Sequence, residues 1–236
     1  VNFFNAPAEV HQNPIALCQW MWPHDIFWSK SCDIIMAVKE SAVTYIQAGN
    51  ELGKDWTLGR IALSAFVAPW AYYGPEWFRN IDQFARPEDP EWISHSRRVI
   101  TTSVKDQHLN VLWGEIGTAW RTCAINLDER FVMTHHEIRF RQEAEQKNVA
   151  SYLTGIVSGQ ENMEGLTGHH AKYTFAFGDE ASGLDDRVQD AVSGWAKREV
   201  WIGNPLPCNT YYKKGCKAGD LLMHPDGTVA DEPVMV

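Results

Sequence analysis

The chain lacks long hydrophobic runs and a surplus of positive charge, and these two absences remove large classes of function. No apolar stretch approaches the ~18 residues that a membrane-spanning helix requires, so no membrane partner is expected. Lys and Arg number 21 against 30 Asp and Glu, a formal net charge of −9. That balance argues against a protein that coats nucleic acid over its whole surface, because phosphates are contacted by cations. A restricted basic face would have to draw on Arg139, Arg141, Lys147, Arg198, Lys213, Lys214 and Lys217. Cysteines are also few. Cys18, Cys32, Cys123, Cys208 and Cys216 leave one unpaired in any disulfide scheme and nowhere form C-x-x-C, so free thiols in a reducing compartment are expected. Repeats and low-complexity tracts are lacking, and Asn2, Asn5, Glu9 and His11 interrupt the apolar core that a signal peptide needs.

Apolar mass is plentiful. Hydrophobic residues make up 44% of the 236, with 11 Trp, which suffices for one large α/β domain. Residues 1–236 are read as that single domain, with residues 1–40 as an aromatic-rich, partly helical lead-in. The segment 69–96, carrying Pro69, Gly74, Pro75, Pro87 and Pro90, reads as irregular or inserted.

The run Tyr173-Thr174-Phe175-Ala176-Phe177-Gly178 ends abruptly in Asp179-Glu180. A strand buried on both faces reads as a continuous hydrophobic run, and ligands of open α/β sheets lie just beyond the carboxyl ends of such strands. In a nucleotidase the first carboxylate of such a pair holds Mg²⁺, and a glutamate beside it can polarise the attacking water. The bland alternative is an acidic first turn of a helix. Upstream, Ser41 to Gln47 reads as a β-branched strand that runs into Ala48-Gly49-Asn50-Glu51-Leu52-Gly53-Lys54-Asp55. The phosphate-loop pattern G-x-x-x-x-G-K-[ST] is a near miss here. Gly53-Lys54 matches, Ala48 replaces the first glycine, and Asp55 replaces the hydroxyl. Apolar residues then follow at helical spacing from Trp56 to Phe66, the order that aims a helix N-terminus at an anion.

Further units follow: a helix over 29–38, a strand over 98–104, and a helix over 107–116 with Asp106 or Ser103 as cap. Strands over 151–158 and 198–202 flank a helix over 187–195. Strands alternating with helices imply right-handed crossovers and a mostly parallel sheet. His135-His136-Glu137 invites a metal reading, discounted because adjacent histidines on a strand point to opposite faces and no third ligand has suitable spacing.

Taken in order, Gly168-His169-His170-Ala171, Asp179-Glu180-Ala181-Ser182-Gly183, Thr101-Thr102-Ser103 through Leu112-Trp113-Gly114-Glu115-Ile116, and Ile202-Gly203-Asn204-Pro205 resemble the ATPase domain of the large terminase subunit. That family is the motor that packages DNA into tailed-phage heads, and the likeness runs over about residues 25–220, a span read from motif order alone. The resemblance implies an α/β P-loop NTPase of the additional-strand, catalytic-glutamate type, with a mostly parallel central sheet flanked by helices. It implies ATP and Mg²⁺ as ligands. Ala48, Gly49, Asn50, Glu51, Leu52, Gly53, Lys54, Asp55 and Trp56 would form the nucleotide loop, with Lys54 on the β/γ-phosphates. Asp179, with Asp55, would hold the metal, Glu180 would activate water, and Asn204 would couple hydrolysis to movement, its alternative being a turn Asn before Pro205.

Implied partners are double-stranded DNA, a portal protein, the small terminase subunit and further copies in a ring. The implied location is the cytoplasm of an infected bacterial host and, transiently, the procapsid portal. Residues 216–236 are too few for the nuclease domain of a full large terminase, so no DNA cleavage is expected from this chain. An arginine finger and the family's adenine-binding glutamine have no counterpart, Lys30-Ser31 standing where the latter is sought and Arg60 lying too far into its helix. Two other readings compete: a helicase-type ATPase, and a nucleotide-binding assembly module without turnover, the latter favoured by Asp55.

Overall fold

The computed structural model describes residues 6–49, 53–73, 96–143, 150–158 and 163–216. A seven-stranded sheet runs in the order β1-β7-β6-β2-β5-β4-β3. Its strands are β1 (Val43–Gln47), β2 (Arg97–Ser103), β3 (Phe131–Met133), β4 (Glu137–Phe140), β5 (Tyr152–Val157), β6 (Tyr173–Asp179) and β7 (Arg198–Gly203). From β1 to β5 every pairing is parallel, and the hairpin β3–β4 adds two antiparallel pairings at one edge. The mostly parallel sheet is as expected. The hairpin was not, because residues 122–150 read only as a polar stretch. His135 and His136 lie in its turn, with ring centroids 4.0 Å apart, so the premise that they face apart on a strand fails. Among the described residues no cluster of three or more His, Cys, Asp or Glu could hold a metal ion.

Strand periodicity sorts side chains onto two faces. Val99, Leu153, Phe175, Phe177, Val200 and Ile202 enter one core, which also takes residues of the helices α1 (Pro14–Met21), α2 (Ser29–Glu40), α3 (Lys54–Val67) and α4 (Asp106–Thr122). Ile100, Ala176 and Trp201 enter a smaller core on the other face, shared with α5 (Asp186–Ser193) and α6 (Tyr211–Gly215). Helix α1 starts at Asn13, whose Oδ1 accepts from the amides of Ile15 and Ala16, with Pro14 at its first position. The cap expected for α4 is corrected. Lys105 occupies the cap position without a side-chain bond, and Asp106 lies inside the first turn, accepting from Asn110.

Helix α3 is buried from Thr57 to Val67, and Gly59 lets α4 come close, since a Cβ there would lie 3.2 Å from the backbone of Glu115. At its far end, the Phe66 and Val67 carbonyls accept from the Arg97 guanidinium at 3.0 and 2.9 Å, which satisfies helix-terminal acceptors. At the sheet's opposite end, the Tyr212 hydroxyl donates to the carbonyls of Ile46 and Gly203, tying α6 to the ends of β1 and β7. The basic residues do not form one face. Arg198 is buried against Tyr73, Arg139 and Arg141 lie at the β3–β4 hairpin end of the sheet, and Lys213 and Lys214 lie on α6 near the β1 edge. Lys147 and Lys217 lie outside the described residues. No described helix is long and apolar enough to cross a membrane, and all five cysteines are free thiols.

Gly178 is fixed by packing. A Cβ there would sit 2.2 Å from the buried Trp201 ring, whereas at Gly194 the nearest atom is 3.9 Å away. Gly178→Ala is therefore expected to lower unfolding stability by about 2 kcal/mol, as overpacking does, and Gly194→Ala to leave it within about 0.5 kcal/mol. Urea unfolding of both variants measures this, and equal stabilities would refute the packing account.

Candidate active site

Strands β1, β7, β6 and β2 end at a common edge, and the side chains there continue the face that carries α3 and α4. Asp179 follows Phe175 and Phe177 in that alternation, Asn204 follows Val200 and Ile202, and Ser103 follows Val99 and Thr101. Helix α3 begins at the same edge. Gly53 takes the left-handed conformation (φ 69°) that an N-cap glycine tolerates, and its carbonyl accepts from the Thr57 amide. Lys54 is thereby set at the first position of the helix, 7% exposed, facing the end of β6.

The Lys54 ammonium forms an ion pair with Glu180 and lies 4.0 Å from the Asp179 carboxylate. Asn204 Nδ2 donates to both Glu180 oxygens at 3.2 and 3.4 Å. The Glu180 amide donates to Asp179 Oδ1 at 2.8 Å, and Glu180 has φ 51°, the one non-glycine residue with positive φ among those described. Such a conformation costs about 1 kcal/mol or more. Asp55 lies close enough to Asp179, and His108 of α4 close enough to Asp55, for their charges to act on one another. Burial, then the neighbouring Asp55 carboxylate, pushes the Asp179 carboxyl up to about 7 against the pull of Lys54. Burial also raises Asp55, with Lys54 opposing.

Among the described residues, four buried polar atoms here have no hydrogen-bond partner: Asp55 Oδ1, Ser103 Oγ, His108 Nδ1 and Asn204 Oδ1. Native proteins leave few such groups, and a cluster of them marks a place where a ligand, ion or water completes the set. Asp179 and Asp55 suit Mg²⁺, which needs only one or two protein carboxylates beside substrate phosphates and water. Their mutual repulsion in a buried setting is what a divalent cation relieves.

Of the residues expected from sequence, the structure brings together Lys54, Asp55, Asp179, Glu180 and Asn204. Gly49 is half-buried beyond β1. The Ala48 amide is committed to the Gly203 carbonyl at 3.0 Å, so it is not available to phosphate. Trp56 is turned away, its ring 5.2 Å from Phe27 and 3.8 Å from the Arg60 guanidinium. Arg60 pairs with Asp25 at 2.7 Å. Asn50, Glu51 and Leu52 lie outside the described residues. Ser103 and His108 were not singled out as site residues. For Ser103 the signal was its parity with Thr101 at the end of a buried strand; for His108 it was a position one turn into a helix that follows that strand.

No protein-family model matches the sequence, and no curated protein matches it. Solved structures do. An arginine-to-alanine variant of the large terminase ATPase domain of Thermus phage P74-26 is similar with a TM-score of 0.50 at 13% identity, over 75% of this chain and 64% of that one. The large terminase of bacteriophage HK97 is similar with a TM-score of 0.49 at 12% identity, over 78% of this chain and 35% of that one. The chain thus has the fold of a large terminase ATPase domain, a P-loop NTPase fold with β7 as the additional strand between β1 and β6. It spans less than two thirds of the P74-26 domain's length.

The raised Asp179 carboxyl has a pH signature. Between roughly pH 4, the ordinary aspartate value, and about pH 7 the native state holds a proton that the unfolded chain releases. Stability therefore falls as pH rises through that window. In EDTA, Asp179→Asn is expected to flatten this slope and to be more stable than the parent at pH 8 by on the order of 2 kcal/mol, several degrees in Tm. Calorimetry from pH 5 to 8 measures it, and parallel slopes would contradict the assignment.

Proposed function

We propose that the chain is an ATP-hydrolysing motor domain that drives double-stranded DNA into a viral procapsid. The observation that carries this reading is the meeting of Lys54, at the start of α3, with Glu180 and Asp179, at the end of β6, under Asn204. A cation on a helix N-terminus opposite a carboxylate pair matches the charge pattern of a metal-bound polyphosphate. The fold of a large terminase ATPase domain supports the same reading.

In this mechanism the α3 N-terminus and Lys54 hold the β- and γ-phosphates, which compete with Glu180 for the ammonium. Released from Lys54, the Glu180 carboxylate stays oriented by Asn204 Nδ2 and accepts a proton from the attacking water. Asn204 Oδ1, without a partner among the described residues, is an acceptor that can hold that water's second proton. When bound, Mg²⁺ supplies charge neutralisation at the phosphate oxygens, and Asp179 and Asp55 are the residues that would hold it. Asn204 sits at the end of β7, and the Gly203 carbonyl before it accepts from Tyr212. A change at the γ-phosphate is thereby passed to α6. Arg60 is committed to Asp25, so a transition-state arginine would come from a neighbouring subunit in a ring. Portal protein and small terminase subunit are the proposed partners, in the host cytoplasm and at the procapsid portal. A nucleotide-binding assembly module without turnover is the second reading, favoured by Asp55, whose carboxylate would repel a triphosphate unless metal or proton offsets it.

Glu180→Gln is expected to cut phosphate release at least about 100-fold, the scale of a lost general base, while ATP binding is kept or strengthened because Lys54 is freed. Unchanged turnover would sink the assignment. Binding without any phosphate release by the parent chain, with DNA and Mg²⁺ present, would select the assembly module. Displacement of a third strand from duplex DNA without unwinding is the expected motor behaviour, and strand separation at a fork would point to a helicase.

A further inference from the structure

In an ordinary phosphate loop the residue after the lysine is a Ser or Thr whose hydroxyl reaches the metal. Here it is Asp55. The hydroxyls near this edge are almost all spent: Thr101 and Thr102 donate to the Thr154 and Ile156 carbonyls at 3.2 and 2.8 Å, Ser158 donates to the Ser103 carbonyl at 3.1 Å, and Thr57 is bonded to Ser31 at 3.1 Å. On the α3 face of this edge Ser103 is the exception among the described residues, while Thr210 Oγ1, also unpaired, lies on the other face. Ser103 is fully buried, and its Oγ has no partner.

Its direction follows from the sheet. Ser103 pairs with Asp179 in register across parallel strands β2 and β6, so the two side chains leave the sheet on the same face. Two residues earlier on β2, Thr101 Oγ1 accepts from Trp113 Nε1 of α4 at 3.0 Å, which fixes that face as the one carrying α3 and α4. The Ser103 side chain thus leaves the sheet on the same face as the Asp179 carboxylate, the side from which Lys54 and Asp55 approach. A buried hydroxyl left unpaired costs stability, and its retention asks for a partner that arrives with the ligand.

We propose that Ser103 supplies, from a neighbouring strand, the hydroxyl that the Gly53-Lys54-Asp55 loop lacks, and positions the nucleotide-bound Mg²⁺ next to Asp179. This rests on the ATPase reading above. The mechanical consequence is a metal held from three elements, β2, β6 and the start of α3, rather than from two.

The test is a titration of Mn²⁺ into the protein with saturating ADP, with free Mn²⁺ followed by electron paramagnetic resonance. Ser103→Ala is expected to weaken Mn²⁺ binding about tenfold, the scale of a lost positioning partner, and Ser103→Thr to retain it. Asp55→Ser restores the usual loop, and in that background Ser103→Ala is expected to change Mn²⁺ binding by less than about twofold, as coupling through one shared role requires. Without nucleotide or metal, Ser103→Ala should have an equal or higher Tm, because it deletes an unpaired buried group. Mn²⁺ binding by Ser103→Ala equal to the parent's would overturn the proposal. So would a defect of the same size in both backgrounds, which a merely structural role produces. Failure of the parent chain with ADP to bind Mn²⁺ would instead remove the ATPase reading, and the proposal with it.

Discussion

Three carboxylates, Asp55, Asp179 and Glu180, and one ammonium are packed at the end of the sheet, and their electrostatics constrain everything around them. Asp179 is 2% exposed and Lys54 7% exposed, so neither has bulk water to stabilise its charge, and the single lysine, already paired with Glu180, would not balance two ionised aspartates as well. Small displacements would be costly in such a setting. The supporting elements are accordingly stiff: β6 and β7 are buried along their whole length, α3 is enclosed on nearly every side, and Gly59 brings α4 against it. Arg60 could have supplied a second cation, yet it is held by Asp25 and Trp56. The imbalance is therefore preserved rather than relieved by the protein itself.

The sheet delivers these groups through parity. Each of β2, β6 and β7 alternates between the two cores, and each ends with a polar residue on the α3 face: Ser103, Asp179 and Asn204. Three strands distant in sequence thus bring polar groups together at one edge of the sheet. With β7 between β1 and β6, Asn204 stands between the ends of those two strands, where it reaches Glu180.

Much of this was legible beforehand because the signals were local. Tyr173 to Asp179 announced a doubly buried strand by its unbroken apolar run, and Gly53-Lys54 announced a helix start after a β-branched strand. What stayed hidden depended on partners far away in sequence. The β3–β4 hairpin is too short and too polar for its alternation to stand out, since Glu137-Ile138-Arg139-Phe140 exposes one side of the ladder. Asn13-Pro14 is a good helix start that the aromatic bias of the lead-in obscured. Strand order decides that Arg139 and Lys213 lie at opposite edges, and no spacing rule encodes strand order. Ser103 and His108 belong to the site only because β2 lies beside β6.

Glu180 holds a backbone shape that L-residues avoid, at φ 51°. Glycine or asparagine would occupy it at lower cost, so selection for heat resistance alone would drift towards those residues and away from a carboxylate. A laboratory screen for thermostable forms of this chain would therefore tend to find variants at position 180, and each would have exchanged the carboxylate that Lys54 and Asn204 hold for a less strained turn.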